Sequence, residues 1–252
     1  MIAILQWTTL AVCALVAIAR VPSALRGENR SVFGIFALST VAILLSIDVS
    51  YRSVDAWLGS ENYTNLILRF VVYGTVLMAG YRIAKAFDAP KSIRLIVGPL
   101  GKTVLAVVGI ATVILFLWAD TAGTATGLSG VRARSPQNAA LIESYAAAGR
   151  LYPAYVAACI LPATYVAIGQ QLPRTIRIGA FLLTIAFAAM AIGTFVPLIP
   201  PEVVYLQAVI NYTAVLCLAL GLALIWISSL VAKRLFGHPV GIRGASSGVQ
   251  EY

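Results

Sequence analysis

The stretch from Asp48 to Arg69, DVSYRSVDAWLGSENYTNLILR, decides how this chain is read. It is polar, it lies between two long apolar runs, and it sends one charge, Arg69, into the second of them. A polar passage of this length between apolar runs of about 20 residues marks a chain that leaves a bilayer and returns. A charge carried back into the apolar run is costly there and points to a partner or a wet cavity.

The rest of the chain agrees with that reading. Its 252 residues are 60% hydrophobic and only 11% charged, and its mean hydropathy is +0.92. Soluble domains carry about 25% charged residues. In lipid only helices and closed barrels satisfy their own backbone. The apolar runs here are continuous rather than alternating, so the fold class is all-α: a polytopic membrane protein built as a seven-transmembrane-helix bundle.

The helices are predicted near residues 2–19, 31–49, 64–84, 100–119, 151–170, 176–198 and 203–232, making one membrane domain over 1–232. A flexible polar tail, 233–252, follows. The first run has no basic segment before it and no A-x-A-like site before Arg20. It reads as a retained span, not a cleaved signal peptide.

Of the 18 Lys and Arg residues, 13 fall in one alternate set of connecting segments: Arg20, Arg26 and Arg30; Arg82, Lys85, Lys91, Arg94 and Lys102; Arg174 and Arg177; Lys233, Arg234 and Arg243. Only Arg52, Arg132 and Arg134 fall in the other set, and Arg69 and Arg150 lie inside helices. The positive-inside rule then places the N-terminus outside and the C-terminus in the cytoplasm of a cell (plasma) membrane. The net charge of +9 is thereby accounted for. Those charges meet anionic headgroups at the cytoplasmic face, and no basic run is interleaved with aromatics as a nucleic-acid surface would be. The basic loop from Tyr81 to Lys102 and the tail are the sizeable surfaces open to a protein partner. Cys13, Cys159 and Cys217 each sit in an apolar run without a CxxC pair and read as packing residues.

Within the opening stretch, a continuation of helix two would place Asp48, Arg52 and Asp55 at i, i+4 and i+7 on one face, able to pair among themselves. Tyr51, Trp57 and Tyr63 suit the outer aromatic belt, and Gly59 supplies the bend. In helix three, Asn62, Asn65, Arg69 and Tyr73 recur at spacings of 3, 4 and 4, a polar stripe on one face. Arg69 lies about 9 Å below Tyr63 at 1.5 Å per residue. A charge at the membrane centre costs at least about 2.5 kcal/mol. Two readings of Arg69 stay open. It contacts an anion or ligand in a pocket open to the outside, or it forms an internal salt bridge to Asp48 or Asp55 or snorkels to the outer headgroups. The two are compatible.

The pattern Tyr51, Val54, Asp55, Gly59, followed by Asn65 and Arg69, resembles that of a family of uncharacterised actinobacterial seven-helix integral membrane proteins. The resemblance covers roughly residues 30–85 by motif and the whole chain by helix count. It implies the seven-helix architecture and an outer loop after the second helix. Longer members carry a soluble cytoplasmic region after the bundle.

The remaining segments add packing signals. Gly98-Pro99-Leu100-Gly101-Lys102-Thr103 imitates the end of a P-loop, but Ile96 occupies the first glycine position and no strand precedes it. Ser135-Pro136 is a strong helix start, so residues 137–150 read as an amphipathic extension of helix five with Leu141, Ile142 and Tyr145 on one side. Glu143 and Arg150 share a face and read as ion-pair partners of their neighbours. Pro162 is predicted to kink helix five. Gly179, Ala186 and Gly193, seven apart, predict close helix contact.

The prolines Pro197, Pro200 and Pro201 make a rigid turn before helix seven, which opens with Glu202, Gln207 and Asn211. Asn211-Tyr212-Thr213 repeats Asn62-Tyr63-Thr64, and helices one to three run parallel to helices five to seven, so a 3+1+3 repeat is geometrically allowed. In the tail, Gly244-Ala245-Ser246-Ser247-Gly248 lacks the strand–turn–helix context of a nucleophile elbow. The one histidine, His238, lies there too.

No spacing marks a catalytic group, a metal cluster or a cofactor site, so the expectation is no enzyme, no metal and no cofactor. The polar cluster expected to bind a ligand or serve structure is Asp48, Arg52, Asp55, Asn65, Arg69, Tyr73, Gln207 and Asn211. With Gln6 it falls in the outer halves of helices one, two, three and seven. This favours a receptor-like or partner-binding module with a polar pocket at its outer face. A small solute or lipid transporter with a 3+1+3 repeat stands second, and an accessory subunit of a membrane complex third.

Overall fold

The computed structural model describes residues 2–27, 30–124, 126–128, 131, 134–198 and 204–236. Its helices are α1 (Ile2–Leu25), α2 (Arg30–Ser46), α3 (Asp48–Trp57), α4 (Tyr63–Ala86), α5 (Pro90–Val97), α6 (Pro99–Trp118), α7 (Pro136–Gly169), α8 (Arg174–Ile192) and α9 (Val204–Phe236). Short 3-10 turns occupy Thr126–Leu128 and Gly193–Leu198. No strand occurs among the described residues. Six helices, α1, α4, α6, α7, α8 and α9, are long and apolar enough to cross a membrane. Helix α2 with its bent continuation α3 makes a seventh if the two count as one span.

Helix two, predicted over 31–49, does not continue straight into the polar stretch. It ends at Ser46, Ile47 takes an extended backbone, and α3 leaves at 89°. The reason is compositional: α2 is apolar, whereas α3 is polar with one apolar face, and a helix of that kind is stable lying along an interface. Helix five is longer than its apolar core: α7 runs unbroken from the Ser135 cap, whose side chain accepts the Asn138 N–H at 3.1 Å, through Pro153 and Pro162. The basic loop holds a helix of its own, α5, started by Pro90. The corner between α5 and α6 needs its glycines: a Cβ on Gly101 would lie 2.0 Å from the Ile96 carbonyl oxygen. The P-loop imitation is thus a tight helix–helix turn.

Neighbouring helices pack in the order α1, α2, α4, α7, α8, α9, and α9 returns to α1. Helix α6 stays outside this ring, against α7 and, more lightly, α4. Cys13, Phe36, Tyr73, Ile83, Tyr152, Ile160, Leu183 and Phe187 belong to the main core. Gly179 and Gly221 meet where α8 and α9 cross, each placed so that a Cβ would stand about 3 Å from the other's carbonyl oxygen. Ala186 is buried in the same packing, but a Cβ on Gly193 would meet nothing within 4 Å. Gly193 therefore opens the 3-10 turn and takes no part in close contact. Large apolar side chains such as Ile4, Leu15, Val107, Ile110 and Phe181 are exposed around the bundle, as a lipid-facing surface requires.

The bundle has two unlike ends. Arg20, Arg82, Lys85, Lys91, Arg94, Lys102, Arg174 and Arg177 cluster at the basic end. There Arg20, only 4% exposed, stacks its guanidinium 4.0 Å from the Trp226 ring centre, and its Nε–H meets no acceptor among the described residues. Asp48, Asp55, Asn62, Asp120 and Asn138 mark the polar end.

Candidate functional site

The polar end is built on the turn between α3 and α4. Asp55 is fully buried. Its Oδ2 accepts the Asn62 N–H at 3.2 Å and the Thr124 hydroxyl at 2.8 Å, and its Oδ1 accepts the Thr64 N–H at 3.3 Å. A carboxylate thus occupies the start of α4, where a helix favours negative charge. Asn62, in the left-handed region at φ 59°, donates through Nδ2 to the carbonyls of Thr121 and Gly123 at 2.7 and 2.8 Å. Its Oδ1 accepts the Tyr51 hydroxyl at 2.7 Å. One amide side chain therefore joins α3, α4 and the segment after α6. Asn138 does the same from α7: it donates to the Asp120 and Val131 carbonyls and accepts the Asp120 N–H at 2.9 Å.

Two exposed carboxylates complete this end. Asp48 accepts from Thr126 and pairs with Arg52 at 2.9 Å. Asp120 pairs with Arg134 at 2.6 Å and accepts the Ala122 N–H. The Thr126 hydroxyl, then Arg52, holds Asp48 below the usual carboxylate range. Arg134, then the Ala122 N–H, does the same for Asp120.

Asp48, Arg52 and Asp55 all fall in α3, but of the pairing expected among them only Asp48–Arg52 forms. Asp55 turns into the bundle, because α3 lies crosswise and buries the face that carries Tyr51 and Asp55.

Along α4 the polar stripe meets α7. The Tyr145 hydroxyl donates to Asn65 Oδ1 at 2.9 Å. Thr112 gives its own proton to the Val108 carbonyl, so Tyr73 is the donor in its 2.9 Å contact with Thr112; the Ala148 carbonyl lies 3.4 Å from the same hydroxyl. Between these two tyrosines sits Arg69, half-buried. Its guanidinium carbon is 5.1 Å from the Tyr145 ring centre, and it packs on Gly149, where a Cβ would lie 2.4 Å from Nη1. Among the described residues no carboxylate lies within ion-pair distance of Arg69. Both aspartates weighed as its partners are engaged elsewhere.

Helix α9 contributes differently from the sequence expectation. Asn211 is exposed. Its neighbour Tyr212 turns inward instead, to 3.1 Å from Ser46, which also accepts from Gln6 at 3.4 Å. Gln207 falls within α9, and its side chain lies outside the described residues, as do Arg132, Glu202 and residues 237–252 with His238, whereas residues 233–236 of the predicted tail continue α9 to Phe236. The Asn-Tyr-Thr repeat has no structural counterpart: Asn62 caps α4, whereas Asn211 lies well inside α9.

Tyr51, Asn62, Thr124, Asn138 and Tyr145 carry much of the bonding and were outside the predicted cluster. The stripe that includes Asn62 was legible in the spacing. The part played by Thr124 and Asn138 depends on a loop crossing that no local pattern encodes.

A groove of about 590 Å³ opens between α4 and α6, lined by Phe70, Tyr73, Gly74, Leu105, Gly109 and Ile110 among others. It is apolar, and of the predicted cluster only Tyr73 lines it. Comparison with protein-family models, with curated proteins and with solved structures finds no match to this chain.

Proposed function

We propose that this chain is a non-enzymatic seven-span module of the plasma membrane, its N-terminus outside, that binds an anionic ligand or partner at its polar end through Arg69. The observation that supports this reading is the isolation of Arg69 from carboxylates at a depth where a charge needs compensation. Arg69 is held between α4 and α7 by Tyr145 and Gly149, and the bidentate guanidinium is the side chain best suited to a carboxylate or phosphate. The resemblance to actinobacterial seven-helix proteins agrees with the architecture.

The test is a pair of thermal-stability screens in detergent, wild type against Arg69→Ala, over anions, sugars and lipids. A ligand that binds the folded state raises its apparent stability by mass action. One that stabilises wild type and not Arg69→Ala supports the reading. If nothing stabilises either protein and Arg69→Ala simply melts lower, Arg69 is structural and an accessory subunit becomes the better account. Labelling of single cysteines at Ser60 and Lys91 in intact cells tests the orientation: Ser60→Cys should react from outside and Lys91→Cys should not.

A second reading, a small transporter with a 3+1+3 repeat, draws support from the ring. Helices α1, α2 and α4 follow one another around it as α7, α8 and α9 do, with α6 outside. Parallel repeats of this kind bind their substrate at the repeat interface, and Arg69 lies where α4 meets α7. Ligand-dependent flux into proteoliposomes separates a transporter from a receptor.

A further inference from the structure

At the basic end, where α7 gives way to α8, lies a recess of about 320 Å³ lined by Ile168, Arg174, Arg177, Ile178 and Phe181. We propose that it is a binding site for an anionic phospholipid, with the phosphate on Arg174 and Arg177 and an acyl chain along Ile178 and Phe181. This does not depend on the role assigned to Arg69, which lies at the opposite end.

Three observations carry it. Arg174 and Arg177 are three residues apart on a helix and so share a face. Both are exposed, and among the described residues neither has a carboxylate within ion-pair distance. Arg177 is also fixed in place: its Nε donates to the Ile168 carbonyl at 2.9 Å, one of the carbonyls that the end of α7 leaves without a helical partner. A guanidinium has five N–H donors, so one bond anchors it and the others stay available to a phosphate.

The third observation is the surface that continues inward. Ile178 and Phe181 are each more than half exposed, and Tyr165 and Val166 on α7 are exposed at 69% and 58%. Cations set at the rim of an apolar, lipid-facing groove match the two halves of a phospholipid. A soluble anion would use only the first half, and an acidic protein surface would leave the second uncovered. Lipid chemistry is therefore the better complement.

The experiment uses the full chain in detergent, titrated with phosphatidylglycerol and, separately, with phosphatidylcholine of the same acyl chains. Bound lipid is counted by native mass spectrometry and thermal unfolding is followed in parallel. Wild type should retain phosphatidylglycerol in preference to phosphatidylcholine and unfold at higher temperature with it. Arg174→Gln/Arg177→Gln, exposed positions whose substitution leaves the core intact, should bind phosphatidylglycerol about tenfold more weakly, the scale of losing charge-assisted hydrogen bonds. Lys91→Gln/Arg94→Gln, on the separate basic helix α5, should bind as wild type does. Equal retention of the two lipids overturns the proposal. So does unchanged binding in the Arg174/Arg177 variant, an equal loss in the Lys91/Arg94 variant, or equivalent stabilisation by inorganic phosphate alone.

Discussion

Arg69 and Gly149 are in direct contact across the α4–α7 interface: a methyl group on Gly149 would stand 2.4 Å from Arg69 Nη1, 2.6 Å from Cζ and 2.8 Å from Cδ. The guanidinium holds its place because α7 has no side chain there. Gly149→Ala should therefore displace Arg69 while leaving the fold nearly as stable. Alanine gains up to about 1 kcal/mol over glycine in a helix, which offsets part of the 1–3 kcal/mol that overpacking costs (about that range). The expected outcome is a melting temperature close to wild type and loss of any stabilisation by a ligand that depends on Arg69. A normal ligand response in Gly149→Ala would show that the seat of Arg69 on α7 does not matter.

Asn62 fills three bonding roles while sitting in the left-handed region. Asn62→Ala removes the bonds and leaves the Tyr51 hydroxyl and two carbonyls unpaired, a loss of roughly 2–4 kcal/mol. Asn62→Gly loses the same bonds but tolerates positive φ, and should be less harmful by about 1 kcal/mol. Unfolding in a denaturing detergent series should rank wild type above Asn62→Gly above Asn62→Ala. The reverse order for the two variants would remove the backbone argument.

The two glycines at either end of α8 should respond oppositely. A Cβ on Gly179 meets Ile225 at 2.9 Å and the Gly221 carbonyl oxygen at 3.0 Å. Backbone cannot yield as a side chain does, so Gly179→Ala should lose about 1–3 kcal/mol. Gly193 has helical dihedrals and open space, so Gly193→Ala should be neutral or gain up to about 1 kcal/mol. Thermal unfolding of the two variants side by side checks both.

Asp48 ties the segment after α6 to α3 through Thr126, and Asp120 closes that segment on itself through Arg134; both carboxyls are held below the ordinary carboxylate value, which is about 3.9. A carboxylate lowered in the folded chain contributes stability that is fully present above that unfolded value and is lost as pH falls through the lower folded one. The protection of residues 120–124 against hydrogen exchange, taken relative to the intrinsic rate at each pH, should therefore be unchanged from pH 7 to pH 5 and fall only below about pH 3.9. Arg134→Gln should loosen the same segment already at pH 7. The exposed pairs should also weaken in about 1 M salt, where the screening length falls to about 3 Å.

The membrane class and the helical fold were readable from composition and run length alone, because lipid permits few backbone solutions and demands about 20 apolar residues for a helical span. The Ser135–Pro136 start of α7 and the Asn62–Tyr73 stripe were readable for a similar reason: capping and helical periodicity are local, and residues three or four apart are neighbours on any helix.

Other features were settled only by tertiary packing. The 89° bend at Ile47 lays α3 crosswise, so that Asp55 is buried while Asp48 and Arg52 stay exposed; a helix period cannot announce where its helix stops. The burial of Asp55 against Thr124, the grip of Asn62 on Thr121 and Gly123, and the inward turn of Tyr212 beside an exposed Asn211 each join residues far apart in the chain. Whether Arg69 had a carboxylate partner was open from sequence, since Asp48 and Asp55 both lay within plausible reach. The fold decided it by engaging both aspartates elsewhere: buried Asp55 goes to the donors that packing brings to it, and exposed Asp48 goes to Arg52 one turn along α3 and to Thr126.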